Sequence, residues 1–226
     1  MSRRIAFLID GGFFLKRLPY LVRPEHCVNA ERITVTMRHL CRNHVKMLTG
    51  LTGAKWIEPV YRIFYYDAVP YGGKAHHPID NRPIDFDKSN IATERRALFD
   101  SLRRQRKVAL RDLWLSLDGG SVALGLKQKG VDMRIGVDIA SLVLKKQVDT
   151  IVLVAGDSDF VPAAKLARRE GIDFILDPLW QQINADLFEH IDGLQSGLSR
   201  PGARAKASAG MAADIHSPDR QPDGTQ

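Results

Sequence analysis

The chain has 226 residues, 44% of them hydrophobic and 26% charged, which is typical of a globular protein rather than a fibrous or wholly disordered one. No apolar run approaches the roughly 18–20 residues that a membrane-spanning helix needs, and the short apolar run after the first arginines is too brief for a secretory signal. Cys27 and Cys41 are too few for a disulfide scaffold or a four-cysteine zinc site, so a cytoplasmic protein is expected.

The positive charge is unevenly distributed along the chain. Lys and Arg outnumber Asp and Glu by 33 to 26, for a formal net charge of +7. Residues 95–111 alone contain seven basic residues and one acidic residue. This balance suits a polyanionic partner such as a nucleic acid.

Strand-like and helix-like segments alternate along most of the chain. In order, the pattern predicts a strand at 4–9, a helix at 30–48, a strand at 59–66, a long irregular loop at 67–90, a helix at 91–108, a strand at 113–117, a helix at 132–146, a strand at 150–155, a helix at 160–170 and a strand at 172–176. Such alternation predicts an α/β fold in which helices sandwich a parallel sheet.

The end of the chain has a different composition. Residues 199–226 are rich in Ala, Gly, Pro and Ser and contain almost no large apolar side chains. Such a segment buries too little surface to order itself, so a disordered tail is predicted there. Residues 1–198 are then expected to form one domain.

Acidic residues follow two of the predicted strands. Asp10 ends the first strand, and Asp157 follows the strand at 150–155. Ligands bind beyond the carboxyl ends of parallel strands, so these side chains are expected to face one cleft. Three further acids lie near them in the sequence: Asp132, Asp138 and Asp159.

Several carboxylates in one cleft repel one another and require compensation. Two like charges about 4 Å apart cost about 4 kcal/mol at an effective dielectric constant of about 20. Either some of the acids are protonated or a divalent cation lies between them. Ligands that are all oxygen favour Mg²⁺ or Mn²⁺ over zinc, and such a site can activate water and stabilise the leaving oxygen of a phosphodiester.

All of these acids except Asp157 also have a purely structural interpretation. Asp10 before Gly11 and Gly12 can shape a turn. Asp132 and Asp159 can be N-caps of the helices that follow them. Asp138 can be a solvated side chain. Only their combination points to chemistry.

Three segments resemble the signature blocks of a known family. They are FLIDGGFF (7–14), KGVDMRIGVDIASL (129–142) and VLVAGDSDFVPAAKLARREG (152–171). They are similar to the NYN domain in its LabA-like branch, which is related to PIN-type ribonucleases. The resemblance implies a PIN-like, Rossmann-like α/β fold and metal-dependent cleavage of RNA.

The resemblance also implies roles for individual acids. Asp10, Asp138 and Asp157 are the implied catalytic residues and metal ligands. Asp132 and Asp159 are the implied accessory metal ligands. The implied cofactor is Mg²⁺ or Mn²⁺.

Basic side chains are candidates for holding the RNA. The polar face of the predicted helix at 91–108 carries Arg96, Arg103, Arg104 and Lys107, and Lys129 precedes the turn that contains Asp132. Each phosphate that such a residue neutralises releases counterions and adds affinity. The same residues can equally form an ordinary solvated helix face.

The sequence therefore predicts a metal-dependent endoribonuclease that binds RNA and no membrane. A non-catalytic RNA-binding or regulatory module on the same fold is the alternative, and a homo-oligomer stays open. A phosphatase of the haloacid-dehalogenase type is disfavoured because Gly12 stands where that chemistry needs a second Asp.

Overall fold

The fold is described by a computed structural model of residues 3–70, 74–76, 82–114, 116–117, 126–127 and 130–200. Its strands are β1 (Ile5–Asp10), β2 (Val60–Val69), β3 (Lys74–His76), β4 (Pro83–Asp85), β5 (Val108–Trp114), β6 (Ser116–Leu117), β7 (Leu126–Lys127), β8 (Thr150–Val154), β9 (Asp173–Asp177) and β10 (Gly193–Leu194). Its α-helices are α1 (Gly11–Leu21), α2 (Ala30–Thr49), α3 (Asn90–Arg103), α4 (Val131–Leu144), α5 (Val161–Arg169) and α6 (Ala185–Phe188).

Six of these strands form one parallel sheet in the order β10-β9-β8-β1-β2-β5. The central strand β1 pairs on one side with β8 and on the other with β2, so that Ile9 is level with Val154 and with Tyr65. The predicted α/β class with a parallel sheet is thereby confirmed.

Helices cover both faces of this sheet. Successive side chains of a strand point to opposite faces, and the two faces have separate cores. Phe7 and Tyr65 are buried on the face that packs against α1, α2 and α3. Leu8 and Tyr66 are buried on the face that packs against α4, α5 and α6. Burial of both faces explains why β1 and β8 are continuous apolar runs.

The parallel arrangement gives each helix a defined direction. A helix that connects two parallel strands runs back across the sheet from the carboxyl edge to the amino edge. The first turns of α3 and α4 therefore lie at the carboxyl edge, and their last turns lie at the amino edge. α1 starts directly from the carboxyl end of β1 at Gly11.

The predicted helix at 91–108 is too long and the predicted strand at 113–117 starts too late. The chain leaves α3 after Arg103 and enters β5 at Val108. Lys107 causes the change, because its φ of 64° is left-handed and ends helical geometry. Its ammonium group donates hydrogen bonds to the carbonyl oxygens of Ile57, Glu58 and Val60, which fixes this turn to the start of β2.

The predicted loop at 67–90 contains regular structure. β2 continues through Asp67 to Val69, and β3 pairs with β4 as a short antiparallel hairpin. Of this segment, residues 71–73 and 77–81 lie outside the described residues. The boundary between a domain at 1–198 and a tail at 199–226 stays a prediction, because residues 201–226 lie outside the described residues as well.

Two of the structural interpretations of the acids are also wrong. α4 has Gly130 as its N-cap, and Asp132 lies inside the first turn. α5 has Phe160 as its N-cap, with no side-chain hydrogen bond. Neither Asp132 nor Asp159 caps the helix that follows it.

Within the described residues, no helix has the length and apolarity needed to cross a membrane.

Gly11 sets how closely α1 approaches the sheet. A Cβ atom at this position would lie 2.6 Å from Cε1 of Tyr65 and 2.7 Å from the carbonyl oxygen of Tyr66. We expect Gly11→Ala to lower the free energy of unfolding by about 1–3 kcal/mol, because a buried contact must be displaced. Urea denaturation followed by circular dichroism measures this change.

Gly136→Ala is the matched control. Gly136 lies inside α4, and no described atom lies within 4 Å of the position that its Cβ would take. Ala favours a helix interior over Gly by up to about 1 kcal/mol, so this variant should be at least as stable as the wild type. An equal loss of stability in both variants would contradict the packing role of Gly11.

Candidate metal centre

Asp10 lies where β1 becomes α1 and serves as the N-cap of that helix. Its carboxylate accepts a hydrogen bond of 3.0 Å from the backbone N–H of Phe13. Burial is the main cause that raises the pKa of Asp10 above its usual value, and the Phe13 N–H opposes this. The negative charges of Asp132 and Asp67 raise it further. The structural interpretation of Asp10 is therefore correct, yet its carboxylate also lies in a negative field.

Asp132 lies in the first turn of α4, at the same edge of the sheet. Burial raises the pKa of Asp132, and the charges of Asp157 and Asp159 raise it further. Asp157 follows β8 and accepts a 3.1 Å hydrogen bond from the backbone N–H of Asp159. The side chains of Asp132 and Asp157 are both exposed. Four of the five predicted acids, including Asp10, are thus linked through mutual repulsion at the carboxyl edge.

Asp67 is an acid at this edge that sequence reasoning missed. It lies near the carboxyl end of β2 and is 2% exposed. Its carboxylate forms an ion pair with Arg95 of α3 and accepts a 2.8 Å hydrogen bond from the N–H of Ala68. Burial raises the pKa of Asp67, and the charge of Arg95 opposes this. The available signal was its position after the apolar run 63–66 on a strand next to β1.

Asp138 has different partners from the other predicted acids. Its Oδ2 accepts a hydrogen bond of 2.8 Å from the hydroxyl of Tyr66 and one of 3.1 Å from Nε of Arg111. It also lines a polar pocket that contains Arg62 and Phe64. Asp138 is therefore not a solvated side chain, and its catalytic role stays a prediction.

The helix geometry explains why Asp132 and Asp138 have separate environments. Six residues of α-helix span about 9 Å along the axis and turn about 240° around it. Asp132 faces the carboxyl edge, whereas Asp138 lies nearly two turns further along α4, beside β2 and β5. Tyr66 connects the two regions, because it is the register partner of Asp10 and donates to Asp138.

The predicted RNA-binding residues lie at opposite edges of the sheet. Arg96 is in the first half of α3 and pairs with Asp87. Arg103 and Arg104 end α3 at the amino edge, and the ammonium of Lys107 is held by backbone carbonyl oxygens there. Lys129 lies outside the described residues. Among the described members of this set, Arg96 lies furthest from the amino edge of the sheet.

The donor set fits a divalent cation only in part. Among the residues that the structure describes, no three His, Cys, Asp or Glu side chains are grouped closely enough to hold a metal ion by themselves. Mg²⁺ is commonly bound through one or two carboxylates, with waters and substrate phosphates as its other ligands. Burial is the main cause of the raised pKa values of Asp10 and Asp132, and the charges of neighbouring carboxylates raise them further. Asp10, Asp132 and Asp157 fit such a partly solvated site.

Comparison with known proteins agrees with this architecture. Residues 86–187 match the family model described as the NYN domain. This match supports the NYN domain family. An NYN domain implies a PIN-like nuclease fold, and the matched range includes Asp132, Asp138, Asp157 and Asp159. The first NYN-like segment, FLIDGGFF, lies before the matched range.

A solved structure is also similar to most of this chain. It is a protein of unknown function from Vibrio parahaemolyticus RIMD 2210633, with 15% sequence identity and a TM-score of 0.48. The similarity covers 85% of this chain and 91% of that one. No curated protein matches the sequence.

The ion pair between Asp67 and Arg95 anchors α3 at the carboxyl edge of the sheet. We expect Arg95→Met to lower the free energy of unfolding at neutral pH by about 3 kcal/mol, because it leaves a buried carboxylate without a partner. The loss should shrink as the pH is lowered, since protonated Asp67 needs no counter-charge. Urea denaturation at several pH values measures both effects.

Arg103→Met is the control on the same helix. Its pair with Asp100 is exposed, with 53% and 61% of the two side chains accessible, so the expected loss is below about 1 kcal/mol. The double variant Asp67→Asn with Arg95→Met should recover part of the lost stability. Similar losses in Arg95→Met and Arg103→Met would contradict this assignment.

Proposed function

We propose that this chain is a metal-dependent ribonuclease that hydrolyses phosphodiester bonds within RNA. The proposal is supported by the electrostatic coupling of Asp132 to Asp10 and to Asp157 at the carboxyl edge of the sheet. The match to the NYN domain supports RNA as the substrate. Mg²⁺ or Mn²⁺ is the proposed cofactor, because every candidate ligand is a carboxylate oxygen.

Each acid has a distinct task in this proposal. The Phe13 N–H holds one oxygen of Asp10, which orients the carboxylate and leaves its other oxygen for a ligand. Asp132 and Asp157 are exposed and can reach a cation from α4 and from the end of β8. Asp159 adds negative charge at the mouth of the site. A bound divalent ion supplies Lewis-acid charge for hydrolysis of the phosphodiester.

In this proposal Asp138 positions Tyr66 and Arg111 and does not bind the metal ion. Its contacts hold the guanidinium group of Arg111 and the hydroxyl group of Tyr66 beside β2. Arg111 also stacks on the ring of Phe64, with its Cζ 5.0 Å from the ring centroid. A catalytic role for Asp138 is the competing hypothesis, which comes from the resemblance to the NYN blocks.

A non-catalytic RNA-binding or regulatory module on the same fold is the second candidate. The observation that favours it is that no three metal-ligating side chains are grouped within the described residues. In that case the edge would bind RNA without turnover. The LabA-like branch, a cytoplasmic location and homo-oligomer formation remain predictions from the sequence.

Asp157→Asn provides the main test. We expect cleavage of a labelled single-stranded RNA in Mg²⁺ or Mn²⁺ to fall more than about 100-fold, because one charge of the metal site is lost. RNA affinity, measured in EDTA, should change little. Asp138→Asn tests the competing assignment: a loss as large as that of Asp157→Asn would make Asp138 catalytic.

Asp149→Asn is the control for these substitutions. Asp149 precedes the same strand, β8, but lies at its amino end, where its carboxylate accepts a hydrogen bond of 2.7 Å from the backbone N–H of Arg4. Its cleavage rate should equal that of the wild type. Cleavage that persists in EDTA or in Asp157→Asn would reject the metal-dependent ribonuclease, and specific RNA binding without any cleavage would favour the second candidate.

A matched pair of α3 variants tests where the RNA backbone lies. Arg96→Gln and Arg104→Gln remove the same charge from the middle and from the C-terminal end of one helix. We expect Arg96→Gln to weaken RNA binding in EDTA and to reduce the slope of log affinity against log salt by about 1. Arg104→Gln should leave both quantities near the wild-type values. The reverse result would place the RNA at the amino edge of the sheet.

A further inference from the structure

A second concave surface lies beside the acids, beyond the carboxyl ends of β9 and β10. We call it the Trp180 groove. It has a volume of about 700 Å³, which is within the range of small-ligand sites. Met47 of α2 and Phe188 of α6 form two of its walls, and Trp180 and Gln181 come from the segment after β9. Its surface is mainly apolar, unlike the neighbouring acidic edge.

Trp180 is held firmly although its side chain is 45% exposed. Its indole N–H donates a hydrogen bond of 2.8 Å to the carbonyl oxygen of Leu198. Leu179 and Trp180 both have positive φ values, 49° and 62°. Such backbone geometry persists only where the surroundings impose it, and it is concentrated at functional sites. Arg17 helps to impose it by donating a 2.9 Å hydrogen bond to the carbonyl oxygen of Leu179.

Two polar atoms of residues that line the groove have no protein partner. Oε1 of Gln195 and Oγ of Ser196 are buried and form no hydrogen bond within the part of the chain that the structure describes. A buried polar atom without a partner costs about 1–3 kcal/mol. Because both atoms are closed to solvent, a ligand in the groove would contact its apolar walls and Trp180 rather than these two atoms.

The groove adjoins the acids through Gly156. A Cβ atom at Gly156 would lie only 3.0 Å from Nε2 of Gln181. The Gln181 side chain, which lines the groove, therefore packs against the residue that immediately precedes Asp157. A strand with a phosphate at the acidic edge has its neighbouring base within reach of this groove.

We propose that the Trp180 groove binds one unstacked base of the RNA strand whose phosphate lies at Asp10 and Asp157. This inference rests on the proposed function for the identity of the strand. The base stacks on Trp180 and contacts the apolar walls of the groove. Stacking of a base on an aromatic side chain contributes about 1–3 kcal/mol and accepts any base.

The test compares a labelled ribohexanucleotide with an analogue of equal charge that is abasic at every position. Affinities for the full chain are measured by fluorescence anisotropy in EDTA, so that cleavage plays no part. We expect the hexanucleotide to bind at least about fivefold more tightly than the abasic analogue. Trp180→Ala should abolish this difference, and Trp180→Phe should retain part of it because an aromatic face remains.

Tyr20→Ala is the control, because Tyr20 is an exposed aromatic residue outside the groove. Circular dichroism checks that each variant is folded. Equal affinity of the wild type for both probes would overturn the proposal, as would an equal loss for both probes in Trp180→Ala. Asp157→Asn separates this proposal from the ribonuclease assignment: base-dependent binding should persist in it whether or not cleavage is lost.

Discussion

Repulsion between carboxylates is the constraint around which the carboxyl edge of this sheet is built. Parallel pairing of β1 with β2 and β8 brings the ends of three strands side by side, and an acid lies at or just beyond each end. Two such charges about 4 Å apart cost about 4 kcal/mol at an effective dielectric constant of about 20. The protein offsets part of this cost with the N-terminus of α1 at Asp10 and with Arg95 at Asp67. In the proposed function, a bound divalent cation would offset the remaining repulsion.

Helix direction then divides the charged residues between two edges. α3 and α4 both run from the carboxyl edge to the amino edge, so each presents only its first turns to the acids. In α4 this separates Asp132, which lies close to the charges of Asp157 and Asp159, from Asp138. Asp138 instead accepts hydrogen bonds from Tyr66 and Arg111. In α3 it separates Arg96 from Arg104. A charge cluster that is continuous in the sequence therefore becomes two surfaces in the fold.

These separations mark the limit of what the sequence predicts. The apolar runs of β1 and β8 are unambiguous because both strands are buried on both faces, so Asp10 and Asp157 were correctly placed at strand ends. The start of β5 was missed because it depends on one left-handed residue, Lys107, whose side chain bonds to a segment about 50 residues earlier. Asp67 was missed because the extent of β2 is set by pairing with β5, which is a non-local contact. The partners of Asp138 depend on the same pairing.

Gly156 lies between the acidic edge and the Trp180 groove, and close packing explains why a glycine precedes Asp157. A Cβ atom there would lie 2.5 Å from Cε2 of Phe13 as well as 3.0 Å from Nε2 of Gln181. The absence of a side chain thus lets the first turn of α1 and the segment after β9 close on the end of β8 from both sides. Phe13 is also the residue whose N–H orients Asp10. The same close contact therefore positions both Asp10 of the candidate metal centre and one wall of the groove.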